Sequence, residues 1–165
     1  MSSALVTGAS SGIGREIART LAPMVDSLII SGRREEPLRD LEKELIGVVD
    51  VKVVIADLST ESGVDFLIEE AGDLDILVNN AGYGLYGRVA DQDPDKLLGI
   101  VDVNIRALTK LGHHHSTSMR MRGKGKILNV ASIAAFQPGP GLAVYCASKA
   151  YVLSLSRAMS AELKG

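Results

Sequence analysis

Short apolar runs alternate along the chain with longer stretches of helical spacing. Runs rich in β-branched and aliphatic residues fall at 4–7, 27–31, 51–56, 76–78 and 126–131. Most are continuously apolar rather than alternating, as in strands buried on both faces. A helix is predicted from near Ile13 to just before Pro23, and a second over 37–46, where Leu38, Leu41 and Leu45 share one face. A third covers 62–71. Pro94, a residue suited to a first helical turn, opens a fourth that runs towards Met121, after which Gly123 and Gly125 break the chain. The last helix runs from about Val144 towards Leu163, and the Gln-Pro-Gly-Pro-Gly stretch at 137–141 reads as the loop before it. Strand and helix in alternation imply right-handed crossovers and an α/β fold: a doubly wound parallel sheet with helices on both faces.

Composition changes this picture little. With 165 residues, 46% of them apolar and 23% charged, the chain is long enough for one domain with a substantial core and too apolar for a disordered segment. A formal net charge of −2 gives no reason to expect nucleic acid or a membrane as partner. Cys146 is the only cysteine, which rules out an internal disulfide and points to a reducing cytoplasm. Ala4-Leu5-Val6 follows the N-terminus almost at once, so no signal peptide is read, and no stretch reaches the roughly 18 apolar residues of a membrane helix.

Candidate chemistry begins at the first strand–helix junction, Thr7-Gly8-Ala9-Ser10-Ser11-Gly12-Ile13-Gly14. A phosphate at a helix N-terminus meets free backbone N–H groups and the positive end of the helix dipole, and glycine lets the backbone approach it closely. A turn that needs glycine only for packing is the alternative, but the place of this one between first strand and first helix is what a dinucleotide fold requires. The second strand ends Ile30-Ser31-Gly32-Arg33-Arg34, with no carboxylate to accept from a ribose 2′-OH and two guanidinium groups suited to a 2′-phosphate. This favours NADP over NAD. The plainer reading pairs Arg33 and Arg34 with Glu35 and Glu36 at the surface.

Tyr145 and Lys149 stand four apart at the start of the last helix and so share a face. A phenol beside an ammonium can exchange a proton with an alcohol or carbonyl oxygen, although the spacing also arises by chance. Ser132 lies just past the fifth strand, where ligands of open α/β sheets bind; it reads as a substrate contact or as a capping hydroxyl. Asn79-Asn80-Ala81-Gly82 closes the fourth strand at the same edge, as a site element or an ordinary turn. Asn104 is a poor helix former within the long helix; it is there for function or bonds a neighbouring backbone group. His113, His114 and His115 are adjacent, whereas ligation from one helix face needs i, i+4 spacing. They read as surface or interface residues, and Cys146 as a small packing residue. Tyr83, Tyr86 and Tyr151 are open between pocket lining and core.

The ordered set Thr7-Gly8-x-x-x-Gly12-x-Gly14, Asp57-Leu58, Asn79-Asn80-Ala81-Gly82, Asn104, Ser132 and Tyr145-x-x-x-Lys149 resembles the short-chain dehydrogenase/reductase family from Leu5 to about Leu163. The resemblance implies a Rossmann fold and hydride transfer between NADP(H) and a carbonyl or alcohol. It implies Tyr145 as acid/base, Lys149 lowering its pKa and contacting the nicotinamide ribose, Ser132 orienting the carbonyl, and Asn104 holding a water in a relay to Lys149. Gly8, Ser10, Ser11, Gly12, Ile13, Gly14, Arg33, Arg34, Asp57, Leu58, Asn80, Ala81 and Gly82 would hold the cofactor, Asp57 through its adenine. A homodimer or homotetramer is implied as well. Members of the family continue with two further strands and a helical substrate cover. The chain is therefore expected to be incomplete at its C-terminus, with the fifth strand as an open edge. The competing function is a nucleotide-binding, catalytically inactive paralogue or fragment that acts as a sensor or subunit.

Overall fold

The computed structural model describes residues 2–163. Five strands, β1 (Ser3–Thr7), β2 (Ser27–Gly32), β3 (Asp50–Ile55), β4 (Ile76–Asn79) and β5 (Lys126–Asn129), form one parallel sheet in the order β3-β2-β1-β4-β5. β1 lies at the centre, Leu5 facing Ile29 of β2 on one side and Leu77 of β4 on the other. Its Ala4, Leu5 and Val6 are fully buried, which is why its run carries no polar alternation.

The helices α1 (Gly12–Leu21) and α2 (Glu35–Leu45) cover one face of the sheet, where Ala18, Leu38, Leu41 and Leu45 meet Val6, Leu28 and Ile30. The helix α3 (Glu61–Ala71) and the long helical stretch 94–122 cover the other, where Val64, Leu67 and Leu111 meet Leu5, Val54 and Leu77. The doubly wound arrangement is thus present, with Leu38, Leu41 and Leu45 on the buried face as their spacing requires. α3 starts where Thr60 accepts a hydrogen bond from the Gly63 N–H at 3.1 Å, and Asp93 caps the next helix by accepting from the Asp95 N–H at 2.9 Å.

The long helix differs from its sequence reading. It consists of α4 (Pro94–Val101), a π-helical turn at Asp102–Ala107 and α5 (Leu108–Arg122). The wide turn is centred on Asn104, whose side chain is bonded to residues far away in sequence. The strand predicted to Ala131 leaves the sheet after Asn129. Val130 still donates to the Asn79 carbonyl at 2.9 Å, but its own carbonyl is taken by Lys149 Nζ at 2.8 Å. The last helix, α6 (Ala143–Glu162), packs against α4 and the π turn. Among the described residues β5 pairs on one side only. No described helix is long and apolar enough to cross a membrane. The three histidines divide: His113 and His114 are exposed, whereas His115 is buried, with neither ring nitrogen hydrogen-bonded. The surface reading of His115 is therefore corrected. It falls on the same α5 face as Leu111 and Met119, and that face packs on the sheet.

Candidate active site

The glycine turn is built around one hydroxyl. Thr7 Oγ1 donates to the Val78 carbonyl and accepts from the N–H groups of Asn80 and Ala81, at 3.0–3.2 Å. Asn80 Nδ2 in turn donates to the carbonyls of Thr7, at 2.9 Å, and Gly8, at 3.2 Å. The end of β4 is thereby fastened to the turn after β1. Gly8 has φ +68°, and a Cβ there would sit 2.9 Å from Ala81 Cα. At Gly14 a Cβ would meet the Asn80 amide and, at 2.5 Å, the Gly8 carbonyl oxygen. Gly12 has open space around it and is required only by its φ of +57°.

At the end of β2, Arg34 Nη2 donates to the Ser11 hydroxyl at 2.9 Å and to that of Ser10 at 3.3 Å. Neither Arg33 nor Arg34 pairs with Glu35 or Glu36; Glu35 is taken by Arg39. The Asp57 carboxylate accepts from the Ser59 N–H at 3.0 Å and hydroxyl at 2.8 Å. Burial works to raise the Asp57 pKa, but these bonds and the Arg33 charge outweigh it and the pKa lies below the usual value.

Across the switch point, Tyr145 and Lys149 share a face of α6, with Lys149 Nζ 5.9 Å from the Tyr145 ring centre. Lys149 is 5% exposed, its ammonium is bonded to the Val130 carbonyl, and its pKa is lowered by burial. Asn104 has both amide protons committed: Nδ2 donates to the Tyr83 carbonyl at 3.0 Å and to Ser148 Oγ at 2.9 Å, while Oδ1 accepts from the Tyr83 N–H at 3.1 Å. Ser148 Oγ passes its own proton to the Tyr145 carbonyl at 2.7 Å. Ser132 Oγ accepts from the Ala134 N–H at 3.2 Å and caps a short 3-10 turn, Ile133–Phe136. It is a capping hydroxyl whatever else it does.

A cavity of about 570 Å³ joins these parts at the carboxyl edge of the sheet, where the strand order reverses around β1. Gly8, Ser10, Ser11, Ile13 and Gly14 form its floor. Arg33, Arg34, Asp57 and Leu58 stand at one end, Tyr145 and Lys149 at the other, and Asn80, Ala81 and Gly82 between them. Gly12, Asn104 and Ser132 do not line it. Asn104 lies directly behind Gly82, where a Cβ would be 3.0 Å from its Oδ1 and 3.4 Å from Lys149 Nζ. Tyr83 lines the cavity and packs on the core, Tyr86 is exposed, and the Tyr151 hydroxyl meets that of Thr109. Cys146 is buried against Gly139. The sequence reading assigned no part to Thr7 as a fastening or to Ser148. Ser148, a polar residue inside an apolar helical stretch, carried the same signal that drew attention to Asn104.

The family model for short chain dehydrogenases matches residues 2–165. The chain belongs to that family. A 3-oxoacyl-[acyl-carrier-protein] reductase of Rickettsia prowazekii is 38% identical over 162 residues, covering 96% of this chain and 65% of the relative. Among solved structures, the bulky-bulky ketone specific alcohol dehydrogenase of Comamonas testosteroni superposes with a TM-score of 0.91 at 33% identity, over 99% of this chain and 68% of that one. A short-chain dehydrogenase from Sphingobium yanoikuyae in complex with NADPH does so with a TM-score of 0.91 at 32% identity, over 99% and 66%. The chain spans between 62% and 70% of the length of the curated relatives it matches.

Proposed function

We propose that this short-chain dehydrogenase chain forms the cofactor-binding and catalytic part of an oxidoreductase that moves hydride between NADP(H) and a carbonyl or alcohol. One observation carries the reading: a single cavity holds an arginine pair free of glutamate partners at one end and the Tyr145–Lys149 pair at the other. The residues fit a dinucleotide. Gly8, Ser10, Ser11 and Gly14 line the cavity at the N-terminus of α1, where phosphate is favoured. Arg33 and Arg34 suit a 2′-phosphate, Ser10 and Ser11 hold Arg34 in place, and Asp57 with Leu58 lies where an adenine would stack. The NADPH complex of the Sphingobium relative supports this choice over NAD.

When bound, the nicotinamide supplies or takes up the hydride. The rest falls to the chain. Tyr145 exchanges a proton with the substrate oxygen. Lys149, fixed by the Val130 carbonyl, places its positive charge beside the phenol. The Ser132 oxygen accepts from Ala134 and leaves its own proton to donate to the substrate. Asn104 has no amide proton to spare, so its share in a relay to Lys149 is that of an acceptor. Net charge and the lone buried cysteine fit a small-molecule enzyme of the cytoplasm with neither nucleic acid nor membrane as partner, and the family resemblance supports a homodimer or homotetramer.

Titration with NADPH and NADH by cofactor fluorescence tests the reading. NADPH is expected to bind the more tightly, and Arg33→Ala or Arg34→Ala to weaken it by about 10-fold or more while leaving NADH unchanged, the loss of a charge-assisted bond. Tyr145→Phe should abolish turnover and keep NADPH binding. Normal turnover in that variant would overturn the assignment.

A further inference from the structure

Two loops meet over Tyr145, the one that follows β4 and the one that follows β5. Gly84 of the first approaches so closely that a Cβ would lie 2.8 Å from the Tyr145 ring. The Gly87 N–H donates to the Gly141 carbonyl of the second at 2.9 Å, and the Tyr86 ring lies against Gly141, where a Cβ would meet it at 2.9 Å. Ser132 opens the second loop and Ile133 follows it. The joined rim leaves large apolar side chains in solvent: Tyr86 is 85% exposed, Ile133 87% and Phe136 70%.

The rim also lacks charge. No Asp, Glu, Lys, Arg or His occurs from Ile76 to Gly87, or from Ile127 to Ser148. Of the nearest cations, all but Arg88 are committed or placed elsewhere. Lys149 is buried and bonded to Val130, Arg33 and Arg34 stand at the far end of the cavity, and Arg88, exposed, follows Gly87 at the border of the rim. A carboxylate, sulfonate or phosphate pressed against such a surface would lose water and gain no partner. An aryl or alkyl group would gain from burial there.

We propose that the substrate class of this site is an uncharged ketone or aldehyde, or the corresponding alcohol, with an apolar group beside the reacting carbon, and that anionic analogues are rejected by the charge-free rim. This rests on the oxidoreductase reading above. In the reducing direction the carbonyl carbon accepts a hydride from reduced nicotinamide and the oxygen a proton from the Tyr145 hydroxyl. An alcohol and oxidised nicotinamide leave, and the Tyr145 phenolate takes a proton back from water.

The test compares acetophenone with 4-acetylbenzoate, two ketones that differ by one carboxylate, on the whole chain with saturating NADPH. NADPH consumption reports turnover and saturation-transfer NMR of each ketone reports binding. Acetophenone is expected to bind and to exceed 4-acetylbenzoate in kcat/KM by about 50-fold or more, the penalty of an unpaired desolvated charge. Ile133→Lys, at a solvent-exposed position, should narrow that gap about 10-fold by supplying a partner for the carboxylate. Equal values for the two ketones would overturn the proposal, and so would binding of neither. Tight 4-acetylbenzoate binding lost in Arg88→Gln would overturn it too and give the anion to Arg88. Selective acetophenone binding without NADPH consumption would uphold the rim's preference and sink the hydride-transfer reading instead.

Discussion

At Gly14 an added methyl group would meet a backbone carbonyl and an amide that is itself holding the turn together, so neither neighbour can withdraw. Gly14→Ala is expected to cost roughly 1–3 kcal/mol, the usual penalty of overpacking, and to weaken NADPH binding; urea unfolding and the titration check the two effects separately. Gly12→Ala meets empty space and a left-handed backbone, so about 1–2 kcal/mol of conformational strain is expected there and no clash. Thr7→Val keeps the shape and removes the oxygen that two N–H groups share. About 1–3 kcal/mol for each donor left buried without a partner should appear as a lower urea midpoint. The need for glycine was legible at all three positions of the turn, because a strand, a glycine cluster and a helix in that order have few other uses. The two different reasons for glycine were not, because each depends on what stands opposite.

The same division holds among the elements. Every strand and the main helices could be read from the chain, since their apolar runs and caps are local. The π turn could not. It is stabilised by Asn104 bonds to Tyr83 and Ser148, and those partners come from another loop and another helix. The end of β5 was misplaced for a similar reason, because the Val130 carbonyl is claimed by a lysine from α6. His115 shows what a run of identical residues can conceal: the hint that only the third turns inward lay in its spacing of four from Leu111 and Met119. Its ring is 1% exposed and its pKa is lowered to about 4, first by burial, then by the neighbouring His114, with Asp73 opposing and Arg122 assisting. A base whose folded pKa is depressed binds its proton more readily when unfolded. The protein should therefore keep its full stability above about pH 6.5 and lose it as the pH falls towards 4. The loss is on the order of 3 kcal/mol at one 1.36 kcal/mol step per pH unit. His115→Leu should flatten the dependence of the urea midpoint on pH between 4 and 6.5, and an unchanged slope would clear His115 of this role.

For the whole molecule, cofactor and fold are thermodynamically linked, since the cavity draws on the end of β2, on the loops that follow β1, β3, β4 and β5, on α1 and on α6. A ligand at 100 times its Kd adds about 2.7 kcal/mol of stability. For a chain of this size that corresponds to a rise in Tm of roughly 5–10 °C, expected with NADPH and much smaller with NADH at equal concentration. Calorimetry of the protein with each cofactor measures it directly. The hydroxyl of Thr7 bears on speed as well. It clamps the carboxyl ends of two neighbouring strands at the place where a pyrophosphate would lie, and so stiffens the cradle. Association then has no loop to wait for. Mixed rapidly with NADPH, the protein should give a single exponential whose rate climbs in proportion to concentration, and loosening the clamp with Thr7→Val should introduce a second, concentration-independent phase.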